Sequence, residues 1–445
     1  MENNCKKESD NTGKCFTNTS EYSDEFDCVT NQYREFIKLC KKELDNDKLP
    51  KNFDNWAITE QYDHLISNAS KYFTNIPESL RFILPAVFED GDCGRPADER
   101  PEWLDMDKFR RGQEFALRYF SMLSISMLMG LLEVFVFTDG LKVLILSQKS
   151  NTPYRAFQRY LSTISRFRNW YTSDPWCPGT QAYRDIQAVR RMHRSMRRKL
   201  CSMDDKTFQE TSKVPNSHCP VMGAIATEFA NTCPRTKNMQ CPYTMMQMRA
   251  INQGDMSGTQ FACMGLTVLY PEKFGVHVSE EDLEAFCHLW RGLGYLLGIE
   301  DHYNFCRGTL PEVRKRAEDF VEHWMKPNFR TLTLEWQHMT KCLFQGIGSI
   351  IYFNNYKLIL MRLCDIYKLD MSGLYKTFSP LEKIMYALMK FLLAYLILLP
   401  GVLFVMNSIV HVSLDQASKS EARKQGERLL KRQPSKMVSK FSLIL

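Results

Sequence analysis

Residues 183–200 read YRDIQAVRRMHRSMRRKL. Wound as a helix, they place Ile186, Val189, His193, Met196 and Leu200 on one stripe, at spacings of three and four. Arg184, Arg190, Arg191, Arg194, Arg197 and Arg198 take the remaining faces. His193 is the one polar group on that apolar stripe. A buried imidazole needs a partner on each ring nitrogen or must stay unprotonated. A metal ion meets that requirement, and so does a hydrogen bond to a neighbouring helix.

The helical reading extends along the chain. Of 445 residues, 44% are apolar and 12% aromatic, which suits a packed core and excludes disorder. Gly (21) and Pro (18) are too few for a fibrous or low-complexity chain, and the 23 Met among Leu, Phe and Tyr runs favour helices. Period-two clusters of Val, Ile and Thr are scarce. The expected fold is all-α: one large globin-like helical domain around a pocket, with a C-terminal hydrophobic membrane segment. The expected divisions are a polar arm with N-terminal helices (1–90), a main domain (91–370), and an anchor with a basic tail (371–445).

Upstream, Tyr33, Phe36, Ile37 and Cys40 recur at helical spacing, and EDGDCGRPADERP (89–101) is a loop by its Gly, Pro and acids. The apolar run from Phe115 to Leu146 is long enough to span a bilayer, but it carries Gly130 and Glu133, so a buried core helix is the favoured reading. The second run, FLLAYLILLPGVLFVMNSIV (391–410), has twenty residues without a charge, interrupted only by Pro400-Gly401. It reads as a membrane anchor, with a Pro-kinked hairpin in one leaflet as the alternative geometry. Lys419, Arg423, Lys424, Arg428, Lys431, Arg432, Lys436 and Lys440 follow it, so much of the net charge of +7 lies beside an apolar segment. A membrane surface, rather than nucleic acid, is the expected partner.

Other chemistries find little support. The fifteen Cys are odd in number and scattered, with no C-x-x-C pair and no signal-peptide pattern ahead of them. One Glu-x-x-His step, Glu335 to His338, falls short of the two a di-iron bundle needs. H-E-x-x-H, G-x-S-x-G, Walker and dinucleotide fingerprints are absent from the sequence. Arg159 and Thr163, four apart, share a helix face that can serve a bound anion or small ligand. Gly254, Gly258 and Ala262 step by four, a smooth stripe for a second backbone or a flat cofactor. Ser279 with Asp282 reads as a helix cap.

Several segments, in order, resemble one family: the catalytic domain shared by the ER-bound fungal oxygenase MpaB and the latex-clearing rubber oxygenases. They are Arg159-Tyr-Leu-Ser-Thr163, Val189-Arg-Arg-Met-His193, Ile251-Asn-Gln-Gly-Asp255 and the W-R-x-x-G-Y-L-L-G-I-x-D run ending at Asp301. The resemblance implies a helical fold around haem b, with His193 as the axial iron ligand. It implies Arg159 and Thr163 on the distal side, and oxidative cleavage or oxygenation of an unsaturated lipid or prenyl chain by O₂, at the endoplasmic reticulum membrane. Gly254 and Gly258 are then expected close to the haem plane, and Arg190 or Arg197 near its propionates. The family's distal lysine is replaced here by Ser162, and Glu133 is the expected distal carboxylate. The alternative is a non-catalytic lipid-binding protein on the same fold.

Overall fold

The computed structural model describes residues 19–44, 48–215, 220–235, 251–348 and 355–419, and among them every regular element is helical. Helices of eight or more residues are α1 (Thr19–Glu43), α2 (Ile58–Ser67), α3 (Met106–Arg118), α4 (Phe120–Val134) and α5 (Thr138–Leu146). Then come α6 (Pro153–Thr172), α7 (Gln181–Cys201), α8 (Pro220–Thr232), α9 (Gln253–Leu269) and α10 (Glu280–Leu296). The last are α11 (Leu310–Phe320), α12 (Leu334–Ile347), α13 (Tyr356–Tyr367), α14 (Pro380–Ala394) and α15 (Val402–Ser418).

Local chemistry sets many of the starts. Thr152 accepts from the Arg155 N–H with Pro153 in the first turn of α6, and Thr180 accepts from the Tyr183 N–H at α7. Ser279 caps α10 through the Asp282 N–H, as its sequence suggests. At α9, Asn252 and Asp255 form a reciprocal capping box. One hydrophobic cluster then runs from Phe36 to Leu414, across all three expected divisions of the chain.

The two apolar runs end differently. The first bends by 87° between α3 and α4. Helix α4 is apolar nearly all round and mostly buried, which matches the core-helix reading. A Cβ on its Gly130 would lie 2.0 Å from the Ala262 carbonyl oxygen, so only glycine lets α4 and α9 approach this closely. The second run does not form the continuous span expected from its length. Among the described residues no single helix is long and apolar enough to cross a membrane; α14 and its short continuation to Leu398 meet α15 at 117°. The break has a covalent cause. Pro400 has no N–H to donate, and Gly401 sits at φ +85°, a left-handed conformation open to glycine.

The loop 89–101 locks the helices together. Asp90 pairs with Asn252 in an isolated bridge, and the Gln253 side chain donates to Asp90 O and Gly298 O. Arg95 donates to Tyr295 O and Ile299 O, tying the loop to the end of α10.

Candidate functional site

Helices α4 to α7, α9, α12, α14 and α15 enclose a cavity of about 1740 Å³. Ligand sites commonly run to ~1,000 Å³, so this one is large enough for a bulky cofactor and a second molecule together. Its wall is mostly apolar, including Leu128, Leu131, Val143, Met196, Phe320 and Leu343. His193, Arg159, Ser162, Thr163, Gly254 and Gly258 all line it. Three sequence segments, separated by up to about a hundred residues, thus converge on one space.

Helix α7 explains how His193 reaches it. Ile186, Arg190, Arg197 and Leu200 are buried against protein, whereas Val189, Met192, His193 and Met196 face the cavity. The His193 Nδ1 is buried and has no hydrogen-bond partner among the described residues. Burial, reinforced by the Arg159 charge, pulls the imidazole down to about 4, so the ring is neutral at physiological pH. A neutral imidazole short of a partner fits the donor a haem iron requires. Among the described residues no group of three or more His, Cys, Asp and Glu gathers as a metal site. A porphyrin supplies four nitrogens itself, so one protein ligand suffices.

Arg155, Arg159, Thr163, Arg166 and Trp170 follow one another at four, four, three and four along α6, and all line the cavity. Arg159 Nη1 lies 3.4 Å from Ser147 Oγ. The Thr163 hydroxyl donates to the Arg159 carbonyl at 2.9 Å, so its proton is engaged within the helix rather than free for a ligand. The small-residue stripe of α9 divides in two. A Cβ on Gly254 would meet Val87 at 2.7 Å, a packing constraint, whereas one on Gly258 meets only the Phe320 ring at 3.7 Å. Gly258 is the position that leaves space for a flat group.

Three expectations need correction. Arg190 and Arg197 are not free for propionates. Arg190 forks onto the Asp92 carboxylate and donates to Arg95 O, while Arg197 pairs with Asp90 at 2.6 Å and donates to Ile251 O. Burial pushes the Asp92 carboxyl up, but Arg190, the Gly94 N–H and Arg194 outweigh it and hold it below the usual range. Glu133 is not on the cavity wall. It is fully buried, accepts a short hydrogen bond from the Tyr367 hydroxyl, and burial raises it well above the usual carboxyl range.

The carboxylates that do line the cavity are Asp139, raised by burial to about 6, and Asp255, raised by burial to about 7 with Asp139 adding to the shift. Neither stands out in the sequence: Asp139 sits among apolar residues, and Asp255 only closes the Ile251–Asp255 segment. Sequence reasoning also passed over Arg166, which extending the Arg159–Thr163 stripe would have found. His323 was hidden for a different reason: residues Val321–Met325 form a π-turn, whose wider winding puts His323 and Trp324 together on the wall against the 3.6-residue period.

The raised acids carry a pH signature. Between the ordinary aspartate value of 3.8 and about 7, the folded protein keeps protons that the unfolded chain has released. Their stability contribution is therefore full below 3.8 and falls as pH rises through about 7. His193 acts with the opposite sign below its ordinary value of 6.5, so a single profile mixes the two. The difference between wild type and Asp255→Asn isolates one: the variant's thermal midpoint should decline less across this window. Parallel profiles would show that Asp255 ionises normally.

Residues 115–373, more than half the chain, match the family described as "ER-bound oxygenase mpaB/B'/Rubber oxygenase, catalytic domain". The chain belongs to this family. Membership in the MpaB/rubber oxygenase family makes it an oxidoreductase of the oxygenase kind, and its helical fold agrees. No curated protein matches the chain. A solved structure, latex clearing protein LCP in the closed state, is similar at 16% identity, with 79% of this chain and 88% of that chain covered and a TM-score of 0.48. A likeness that distant transfers no residue role. Much of the resemblance within the MpaB/rubber oxygenase segments is architectural. In Ile251–Asp255, Asn252 and Asp255 cap α9, Gln253 ties the loop, and Gly254 clears Val87. In the later run, Arg291 forks onto Asp301 and Gly298 takes φ +100°.

Proposed function

We propose that this protein is a haem b-dependent oxygenase that uses O₂ to cleave or oxygenate an unsaturated lipid or isoprenoid chain at the endoplasmic reticulum membrane. The observation that carries this reading is the neutral His193 ring, its Nδ1 without a protein partner among the described residues, on the wall of a large apolar cavity that the open Gly258 also lines. His193 would ligate the iron, and Gly258 would leave clearance for the ring. Lys149, Arg155 and Arg166 also line the cavity and would be the cations nearest in kind to what propionates need, although Arg155 donates to Gln148 O and Arg166 lies 3.9 Å from Asp185. The haem, when bound, supplies the iron chemistry that activates dioxygen.

The chain's own residues do the rest. The apolar wall binds a hydrocarbon chain and keeps water from it. Arg159 sets a positive charge toward the same space, where it stabilises negative charge developing on oxygen in a low-dielectric site. Ser162 offers a hydroxyl at the position that matches the lysine of the rubber oxygenases, so the amine of that position would be missing here. Asp139 and Asp255, raised toward neutrality, can hold or release a proton at a carboxyl oxygen near physiological pH.

Oxygen uptake by purified, haem-loaded protein supplied with a prenyl lipid tests the reading. Wild type should consume O₂, and Arg159→Ala should fall by about 10²-fold or more, with the haem absorption band retained. A second reading, a lipid-binding protein that has kept the fold without the reaction, is favoured by Ser162 and by the engaged Thr163 hydroxyl. Equal background uptake in both proteins would select it.

A further inference from the structure

Thirteen large hydrophobic side chains stand exposed among the described residues, and all but Leu334 and Tyr375 lie between Leu381 and Val412. Scattered exposure of this kind is ordinary, but contiguous exposure marks an interaction surface. On α14 and its continuation, Leu381, Ile384, Leu388, Phe391 and Tyr395 step by three and four, forming one outward stripe. Val405, Ile409 and Val412 do the same on α15. At the 117° vertex between them Leu399 is 54% and Phe404 75% exposed, and a Cβ on Gly401 would meet nothing within 4 Å.

The opposite faces of these helices are fixed to the body. Asn407 accepts from the Ser121 N–H and hydroxyl and donates to Arg118 O; Arg168 pairs with Asp415 at 2.9 Å; Ile397 packs where a Cβ on Gly275 would sit. Those inner faces are also cavity wall, through Met389, Leu393, Met406, Val410 and Leu414. Ile409 belongs to both surfaces: it lines the cavity and is 52% exposed.

We infer that the α14–α15 hairpin lies in one leaflet of an anionic bilayer, and that the cavity opens at Ile409 into the acyl-chain region, so apolar substrate passes sideways from the membrane into the site. The inference rests on the reading of the cavity as an apolar-substrate site. Charge complementarity selects this occupant over a second copy of the chain. No charged residue occurs from Phe391 to Val412, and eight Lys and Arg against Glu421 and Glu427 follow between Lys419 and Lys440. That is an apolar wedge beside a basic segment, the arrangement that suits an anionic lipid surface. A self-pairing seam would favour a straight stripe over one broken at 117°.

The test uses the full chain with vesicles of phosphatidylcholine and phosphatidylserine, and vesicles of phosphatidylcholine alone. Flotation should occur with the first and weaken with the second. The double variant Leu399→Asp/Phe404→Asp, at exposed positions, should lose vesicle binding at least tenfold while keeping wild-type circular dichroism. Depth is read by Phe404→Trp, Ile409→Trp and the control Leu334→Trp, in vesicles with and without brominated acyl chains. The first two should be quenched by bromine and the control should not. Quenching at 404 without quenching at 409 would overturn the lateral opening. Quenching at neither, or a concentration-dependent dimer dissolved by the double variant without vesicle binding, would overturn the membrane assignment. None of these readouts needs turnover, so an inactive protein that inserts would fail the oxygenase reading alone.

Discussion

Replacing His193 with alanine is expected to strip the protein of its haem absorption band while leaving the helical fold in place. The ring lines the cavity, and its Nδ1 makes no hydrogen bond among the described residues. Truncation therefore removes no intraprotein hydrogen bond seen at that nitrogen; it enlarges a space that is already large. The stability cost should accordingly fall below the range of about 2–5 kcal/mol typical of truncations in a close-packed core. Haem retention should fall by at least tenfold, read as absorbance after gel filtration, with far-ultraviolet circular dichroism unchanged. The same physics sets the acid limit. Because the ring is held down at about 4, proton competition for the ligating nitrogen should begin only as pH falls toward that value. A His193→Ala protein that keeps its band, or a wild type that binds no haem when supplemented, would end the haem reading.

Arg190→Ala should be the most destabilising of the arginine truncations in α7. Its guanidinium and the Asp92 carboxylate are 5% and 6% exposed, so removing it strands a buried charge. Breaking one side of such a pair typically costs about 3–5 kcal/mol. Arg194 reaches the same carboxylate at 2.9 Å but is 48% exposed, and its removal should cost under about 1 kcal/mol. A fall in the thermal midpoint for Arg190→Ala with little change for Arg194→Ala is the expected pattern. Equal shifts would mean that Asp92 is held by the loop backbone instead. Because the loop 89–101 also grips α9 and the end of α10, Arg190→Ala should loosen the cavity wall and lower haem retention as well.

The stripe containing His193 was legible in the sequence because helical period alone puts an imidazole among apolar neighbours. The pairing of Arg159 with Thr163 on one face was legible for the same reason. What the period cannot reveal is the neighbour. Arg190 and Arg197 look solvated on a helical wheel, yet a loop about a hundred residues earlier brings Asp92 and Asp90 to bury them. Glu133 drew attention as an acid in an apolar run, but a residue 234 positions away, Tyr367, decides its surroundings. Asp139 and Asp255 acquire raised values only through burial around a cavity that no local pattern encodes. The Pro400-Gly401 break was written in the sequence; that both of its arms would form cavity wall was not.

The cavity borrows its wall from Ile83 and Val87 near one end of the described chain and from Met406 to Leu414 near the other. A ribosome makes the first of these some three hundred residues before the last, so no emerging fragment carries a finished chamber. Contacts separated this far form slowly and late. On the haem reading, loading would wait for α14 and α15 to dock, and their arrival would be the commitment step of maturation.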